Sequence, residues 1–309
     1  MKAVRIHRFG LPEVIVLDDV AKPEPGRGEV VVRVNAAGIA PWDALIRRGE
    51  SIIPQPLPLT LGSDLSGVVD SVGAGVEELN TGDEVFGVTN ERFTGANAEF
   101  GIAKAAMIAP KPKSLNHVHA ASVPVVAVTA WQMVFDFAQL SSGQSVLIHG
   151  AAGNVGGYAV QLAKRAGAVV IATASVENDS YVRRLGADGV IDYRSARFEE
   201  RVKEVDVVLD TVGGEVLERS YGVLKAGGIV VSSATQPSKE KAEQHGVRAV
   251  FFLVQVTGKQ LTKIAHMIDA GELNTEVGEV LWLDEARKGH EMLEGAPHRR
   301  GKIVIKVAD

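Results

Sequence analysis

The sequence predicts an α/β chain in which a β-barrel-like domain is split around an inserted domain with a doubly wound parallel sheet. Three observations predict it. The first hundred residues are short β-branched runs punctuated by Gly and Pro. From Ser145 onward, wholly apolar runs alternate with amphipathic ones. A last alternating run, "GKIVIKVAD", has no partner of its own kind in that region and is expected to return to the first domain.

In chain order, "GEVVVRVNAAGIA" and "LSGVVDSVGAGV" read as strands, and Pro54, Pro56 and Pro58 make "PLPLTLGSDLSG" an extended loop. "TGDEVFGV" and "NAEFGIAKAAMIAPKP" continue the strands to a Pro-rich stop. Past Asn116, "HVHAASVPVVAVTAWQMVFDFAQL" has helical length and few charges, interrupted at Pro124. Then come strand "SVLIHG", helix "VGGYAVQLAKRAG", strand "AVVIATA", helix "NDSYVRRLG" and strand "GVIDY". Helix "RFEERVKE", strand "VDVVLDTV", helix "GEVLERSYGVL" and strand "GGIVVSSA" follow, and "QLTKIAHMIDAGEL" is a later amphipathic helix. The expected division is residues 1–121 plus 263–309 for the first domain and 122–262 for the inserted one.

Composition excludes several function classes. A net charge of −5 without a basic run leaves no nucleic-acid footprint. The absence of Cys removes disulfides, thiolate metal sites and a Cys nucleophile together. No apolar run approaches the ~18–20 residues that span a bilayer. "MKAVRIHRFGLPEV" lacks the apolar core of a signal peptide, so a soluble, cytoplasmic protein is expected.

The stretch "HGAAGNVGGYAVQLAK" carries the chemistry. A strand runs through Gly153 and Gly156 into a helix, the context of a loop that binds a dinucleotide pyrophosphate. Gly153 lets the backbone approach the phosphates, Gly156 lets the helix pack closely, and the helix N-terminus presents free N–H groups to the anion. Ala151 stands where the usual pattern has its first Gly. The next strand ends in Ser175, not in the carboxylate that would hold a free ribose 2′-hydroxyl, and Arg183, Arg184 and Arg194 lie near it in sequence. These favour NADPH, while Glu177, two residues past Ser175, argues against a 2′-phosphate.

Together with "AAGIAPWDALIRRG", "GSDLSGVVDSVGAGVEELNTGDEVFG", "VPVVAVTAWQ", "LGADGVIDYR", "VDVVLDTVGG" and "RRGKIVIKV", in that order, the chain resembles the zinc-independent medium-chain dehydrogenase/reductases of the quinone oxidoreductase and alkenal/enone reductase branch. The resemblance implies a GroES-like β-barrel domain split around a Rossmann domain, with the active site in the cleft between them. It also implies a homodimer through edge strands, here "RAVFFLV", and accounts for Ala151, since A-x-G-x-x-G is common in the branch.

In zinc-dependent relatives a Cys precedes the match to Asp43 by three residues, and a His precedes the match to Asp64. Here those positions hold Ala40 and Ser63, so no metal is expected; His117 and His119 read as surface residues before a helix. The activity implied is hydride transfer from NADPH to a quinone or an α,β-unsaturated carbonyl, an enone or enal. Many relatives have Asn where Ala40 stands, so one side-chain donor is missing and no proton donor or other catalytic residue is assigned.

Carried over by motif, the cofactor contacts are Thr129, Gly153, Asn154, Val155, Gly156, Ser175, Asn178, Tyr193, Val212, Ser232 and Phe252. Asn178 replaces a Lys that many quinone reductases aim at the 2′-phosphate, which weighs against NADPH. Thr129 could instead bond its own helical turn, Tyr193 could be a surface-edge residue, and Phe252 could belong to the interface strand. Trp42 and Phe93 are expected to line the substrate pocket, although Trp42 suits core packing equally, and Asp43 is expected to brace structure. The competing reading is a non-catalytic, regulatory NADPH-binding protein.

Overall fold

The structure is a computed structural model that describes residues 1–308. It divides into two compact units, residues 1–125 with the segment from Gln255 onward, and Val126–Val254.

The second unit is built on six strands in the order Gly189–Asp192, Val169–Ala174, Ser145–His149, Val205–Asp210, Leu224–Ser232 and Arg248–Phe251. Every neighbouring pair is parallel. Helices Asn154–Arg165, Asp179–Arg184, Gly214–Ser220 and Lys239–Gln244 connect them. Strands with few charges suit a sheet covered on both faces: Leu147, Val208 and Val230 are buried with Leu217, Tyr221 and Phe198. Each such aliphatic side chain contributes roughly 1.5–3 kcal/mol by leaving water. The chain lays down three strands in one direction from Ser145–His149, then crosses back to Val205–Asp210 on its other side. That reversal leaves a crevice at the carboxyl ends of the strands.

In the first unit, Val277–Trp282, Lys302–Lys306, Glu29–Ile39, Asp64–Val72, Glu84–Val88 and Ile108–Pro110 lie side by side. Phe100–Lys104 also pairs with Glu29–Ile39. A three-stranded sheet, Ile15–Asp19, Lys2–Ile6 and Leu59–Thr60, packs on the same core, where Val4, Ile6, Val32, Val34, Leu65 and Ile303 are buried. The last strand pairs antiparallel with the third of the chain, Ile303 opposite Ile39 and Lys306 opposite Ala36.

Several elements depart from expectation. The segment read as helix "RFEERVKE" is a single 3-10 turn, Phe198–Glu200. Phe198 and Val202 anchor it, and Glu204 adopts φ +57 before the next strand, which stops any helix. The long apolar stretch becomes His117–Ala121 and Pro124–Trp131 followed by a π-helical Gln132–Phe137. Among the described residues, no helix is long and apolar enough to cross a membrane.

Candidate cofactor-binding site

Strand Ser145–His149 ends in a turn that Gly150 makes, with φ +72. A Cβ there would lie 2.4 Å from Thr211 Oγ1 as well as in the left-handed region. Ala151 stays out of that region and is buried, and its N–H donates to the Thr173 carbonyl at 3.3 Å. The strained position therefore falls one residue before the Ala that seemed to break the glycine pattern. Gly153 N–H donates to the Gly150 carbonyl at 2.9 Å and closes the loop. Gly156 is held tightest: a Cβ on it would meet the Gly150 carbonyl oxygen at 2.2 Å and the Ala151 Cα at 2.8 Å, both backbone atoms.

Helix Asn154–Arg165 buries Ala159, Leu162 and Ala163 on the sheet, and its exposed N-cap, Gly153, carries no side chain. The N–H groups of its first turn have no carbonyl of their own helix within reach. Asn154 and Val155 are half-buried beside them. A loop with no side chain at its centre and main-chain donors around it fits the pyrophosphate of a dinucleotide.

At the end of the neighbouring strand, Ser175 is buried and accepts a hydrogen bond from Asn178 Nδ2 at 3.0 Å. Of the three arginines near it in sequence, Arg183 is paired with Asp179 at 2.9 Å and Arg184 leans over the Tyr181 ring at 6.0 Å. Arg194 is the one drawn to this corner. Its Nη1 lies 2.8 Å from Glu177 Oε1, and its guanidinium carbon lies 5.8 Å from the centroid of the exposed Tyr193 ring.

Polar side chains that the sequence reading passed over line the same row of the sheet. Asp210 stands opposite His149 in register, and Ser232 opposite Asp210. His149 is buried, with Nδ1 3.1 Å from Thr173 Oγ1 and Nε2 3.1 Å from Ser220 Oγ. Burial pushes its pKa down to about 4, so the ring is neutral near pH 7 and holds its strand end by neutral hydrogen bonds. Asp210 accepts from Val212 N at 3.0 Å, Gly213 N at 2.9 Å and Ser232 Oγ at 2.7 Å. The signal available in sequence was a polar residue, His149, Asp210 or Ser232, closing each of three apolar strands.

Ser232 is itself buried, and its hydroxyl also accepts from Ala234 N and Thr235 N, both at 3.2 Å. Val212 is exposed at the turn Asp210 ties. Phe252 follows the edge strand, and its ring centroid is 4.4 Å from that of Phe137. Thr129 is buried in helix Pro124–Trp131.

In the first unit, the positions matching metal ligands are closely packed and committed. Ala40 has no ligand atom, and its N–H donates to Asp43 Oδ2 at 2.8 Å. Ser63 Oγ accepts from Trp42 Nε1 at 3.0 Å. Asp64 Oδ1 accepts from Val125 N at 3.0 Å, and Oδ2 from the ammonium of Lys302 at 2.8 Å, with Lys302 1% and Asp64 0% exposed. Lys302 Nζ also lies 4.6 Å over the Trp42 ring. These residues do not fit a zinc ion, because the cationic place beside Asp64 is already filled by the ammonium. Among the described residues, no group of three His, Cys, Asp or Glu is placed to hold a metal. Burial pushes Asp43 up to about 7 against the opposing pull of Lys302.

His117 is not a plain surface residue. It begins helix His117–Ala121, with Nδ1 2.8 Å from Ser66 Oγ and Nε2 3.2 Å from Glu84 Oε1. Trp42 and Phe93 are both half-buried against the barrel core, and Phe93 sits at φ +58.

Two family models match: one described as alcohol dehydrogenase GroES-like domain over residues 26–113, and one as zinc-binding dehydrogenase over residues 185–305, which includes neither Ala40 nor Ser63. A quinone oxidoreductase of Mus musculus is 31% identical, covering 99% of this chain and 97% of its own length. The solved structure of the quinone oxidoreductase from Coxiella burnetii has a TM-score of 0.92 at 35% identity over 99% of both chains. Escherichia coli quinone oxidoreductase complexed with NADPH gives 0.90 at 27% identity, covering 99% of this chain and 100% of that one.

A GroES-like unit with a Rossmann unit inserted in it defines an oxidoreductase of the alcohol-dehydrogenase type. The chain belongs to the medium-chain dehydrogenase/reductase superfamily, in its quinone oxidoreductase branch.

Proposed function

We propose that this oxidoreductase transfers a hydride from NADPH to a conjugated acceptor, a quinone, enone or enal, without zinc. The observation that carries the reading is the empty-centred loop at Gly150–Gly156 with Ser175 at the end of the adjoining strand and Arg194 just past the end of the next one. Main-chain N–H groups at Asn154, Val155 and Gly156 would hold the pyrophosphate, which the side-chain-free Gly153 lets come close. Ser175, Asn178, Tyr193 and Arg194 would surround the adenosine ribose. Val212 is the exposed residue of a turn fixed by Asp210 and Ser232, and with Thr129 and Phe252 it would bound the nicotinamide end. Ser232 would act through Asp210, since its hydroxyl is already shared among three partners.

When bound, reduced nicotinamide supplies the hydride from its C4. The chain supplies position and exclusion of water. Trp42 and Phe93 would offer apolar surface to a flat acceptor. The support for a zinc-free reaction is chemical: Ala40 has no donor atom, and Asp64 is neutralised by Lys302. The zinc-bound alkoxide that alcohol oxidation needs then has no place to form. We further propose a homodimer through the edge strand Arg248–Phe251, beyond which Leu253 is exposed; light scattering reads it directly.

The test is NADPH oxidation followed by absorbance with a naphthoquinone and a simple enone in metal-chelated buffer. Steady turnover is expected. Tight NADPH binding with no turnover across a broad panel of both acceptor types would defeat the catalytic reading and leave the regulatory one.

A further inference from the structure

We propose that Glu177 sets the choice between the phosphorylated and unphosphorylated dinucleotide, by holding the donors a 2′-phosphate would need. The inference rests on the reading that the Gly150–Gly156 loop takes a dinucleotide.

The corner has one buried hydroxyl and one exposed cation. Ser175 is buried at the start of the turn Val176–Asn178, and Asn178 reaches back to its Oγ. That oxygen already accepts from Asn178 Nδ2, so its own proton is left to donate. Glu177 lies two residues along the chain, and the Ser175 side chain is the foremost influence holding its carboxyl below the usual carboxylate range, with Arg194 adding to it. Arg194 completes the arrangement from the loop after the next strand, at 2.8 Å.

A carboxylate and a phosphate ask for the same two donors. A ribose 2′-hydroxyl asks for the opposite, an acceptor, and Glu177 is one. The same side chain thus repels a 2′-phosphate, which carries close to two negative charges near neutral pH, and welcomes a 2′-hydroxyl. The Glu177–Arg194 pair is largely exposed, 61% and 59%, so it is weak and displaceable. Glu177 therefore biases the choice and does not bar NADPH. Asn178, which is neutral, cannot offset the carboxylate with a charge.

The test is titration of NADPH and NADH by fluorescence against the whole chain, its Glu177→Gln variant and its Arg194→Ala variant. Wild type is expected to bind both, separated by less than about tenfold. Glu177→Gln is expected to tighten NADPH about tenfold, with NADH shifted less than about threefold and the NADPH gain shrinking in 0.5 M salt. Arg194→Ala should weaken NADPH about tenfold and leave NADH nearly unchanged. Equal shifts for both dinucleotides, or none in Glu177→Gln, would overturn the role of Glu177 while leaving the dinucleotide site intact. Failure of wild type to bind either would overturn the dinucleotide reading and this proposal with it.

Discussion

Replacing Lys302 by Met removes the ammonium beside Asp64 while keeping most of the volume. The two groups are 2.8 Å apart and essentially sealed from solvent, at 1% and 0% exposure. Asp64 keeps only the Val125 N–H on its other oxygen. An uncompensated buried charge of this kind costs about 3–5 kcal/mol. At roughly 2–4 °C per kcal/mol for a unit of this size, the melting temperature should fall by about 6–20 °C near pH 8. The loss should also depend on pH in a defined sense. Burial already raises the Asp64 pKa above the ordinary carboxylate value, and Lys302 is what pulls it back. Without Lys302 the folded carboxyl is pushed higher still and takes a proton. The variant then suffers least near pH 4, where the unfolded carboxyl is protonated too. It loses roughly 1.4 kcal/mol for each pH unit above that, until the folded group ionises. Calorimetry from pH 4.5 to 8.5 measures both effects, and the double variant Lys302→Met with Asp64→Leu should regain most of the loss. A single variant that melts within about 2 °C of wild type at pH 8, or whose deficit is flat with pH, would refute the picture of a sealed, mutually dependent pair.

Other expectations are as direct. Gly156→Ala places a Cβ 2.2 Å from the Gly150 carbonyl, so the loop must open; nucleotide binding should fall by more than tenfold, about 1.4 kcal/mol, in the same fluorescence titration. Asp43, pushed up to about 7 by burial, binds its proton more tightly when folded than the ordinary carboxyl at 3.8. Its contribution is complete below pH 3.8 and is lost as pH rises through about 7, so Asp43→Asn should flatten the stability profile between those values in urea unfolding. Ser232→Ala leaves buried Asp210 Oδ2 short of a donor and should destabilise by about 1–3 kcal/mol. Because the role is reached through Asp210, the NADPH dissociation constant should move less than about threefold at temperatures where the variant is folded.

Much of the fold was legible because its signals are local and repeated. Runs such as "VVIATA" and "VDVVLD", with amphipathic segments between them, dictate a parallel sheet whatever lies elsewhere. The strand Val277–Trp282 and the helices Lys239–Gln244 and Ala286–Leu293 were not anticipated, since segments this short hold too few repeats to fix a period. In the cofactor loop the sequence showed where the close approach must be, at Gly156, but not that Gly150 would carry the left-handed turn. Two adjacent residues can both satisfy a spacing rule until the backbone is traced. Lys302 was invisible as a partner of Asp64 because the pair spans 238 positions, a proximity that only the return of the last strand creates. The same applies to Asp210, whose meaning comes from register with His149 and Ser232 and not from its neighbours.

The pairing of the last strand with Glu29–Ile39 has a consequence in time. The inserted unit is continuous, Val126–Val254, so all of its strands have emerged from the ribosome while the barrel still lacks its closing members. Until residue 302 is made, Asp64 has no ammonium and Ile39 exposes an unpaired edge. A nascent chain stalled near residue 290 is expected to protect the inserted unit from protease and leave the barrel open to it. The barrel is thus begun before the inserted unit and closed only after it.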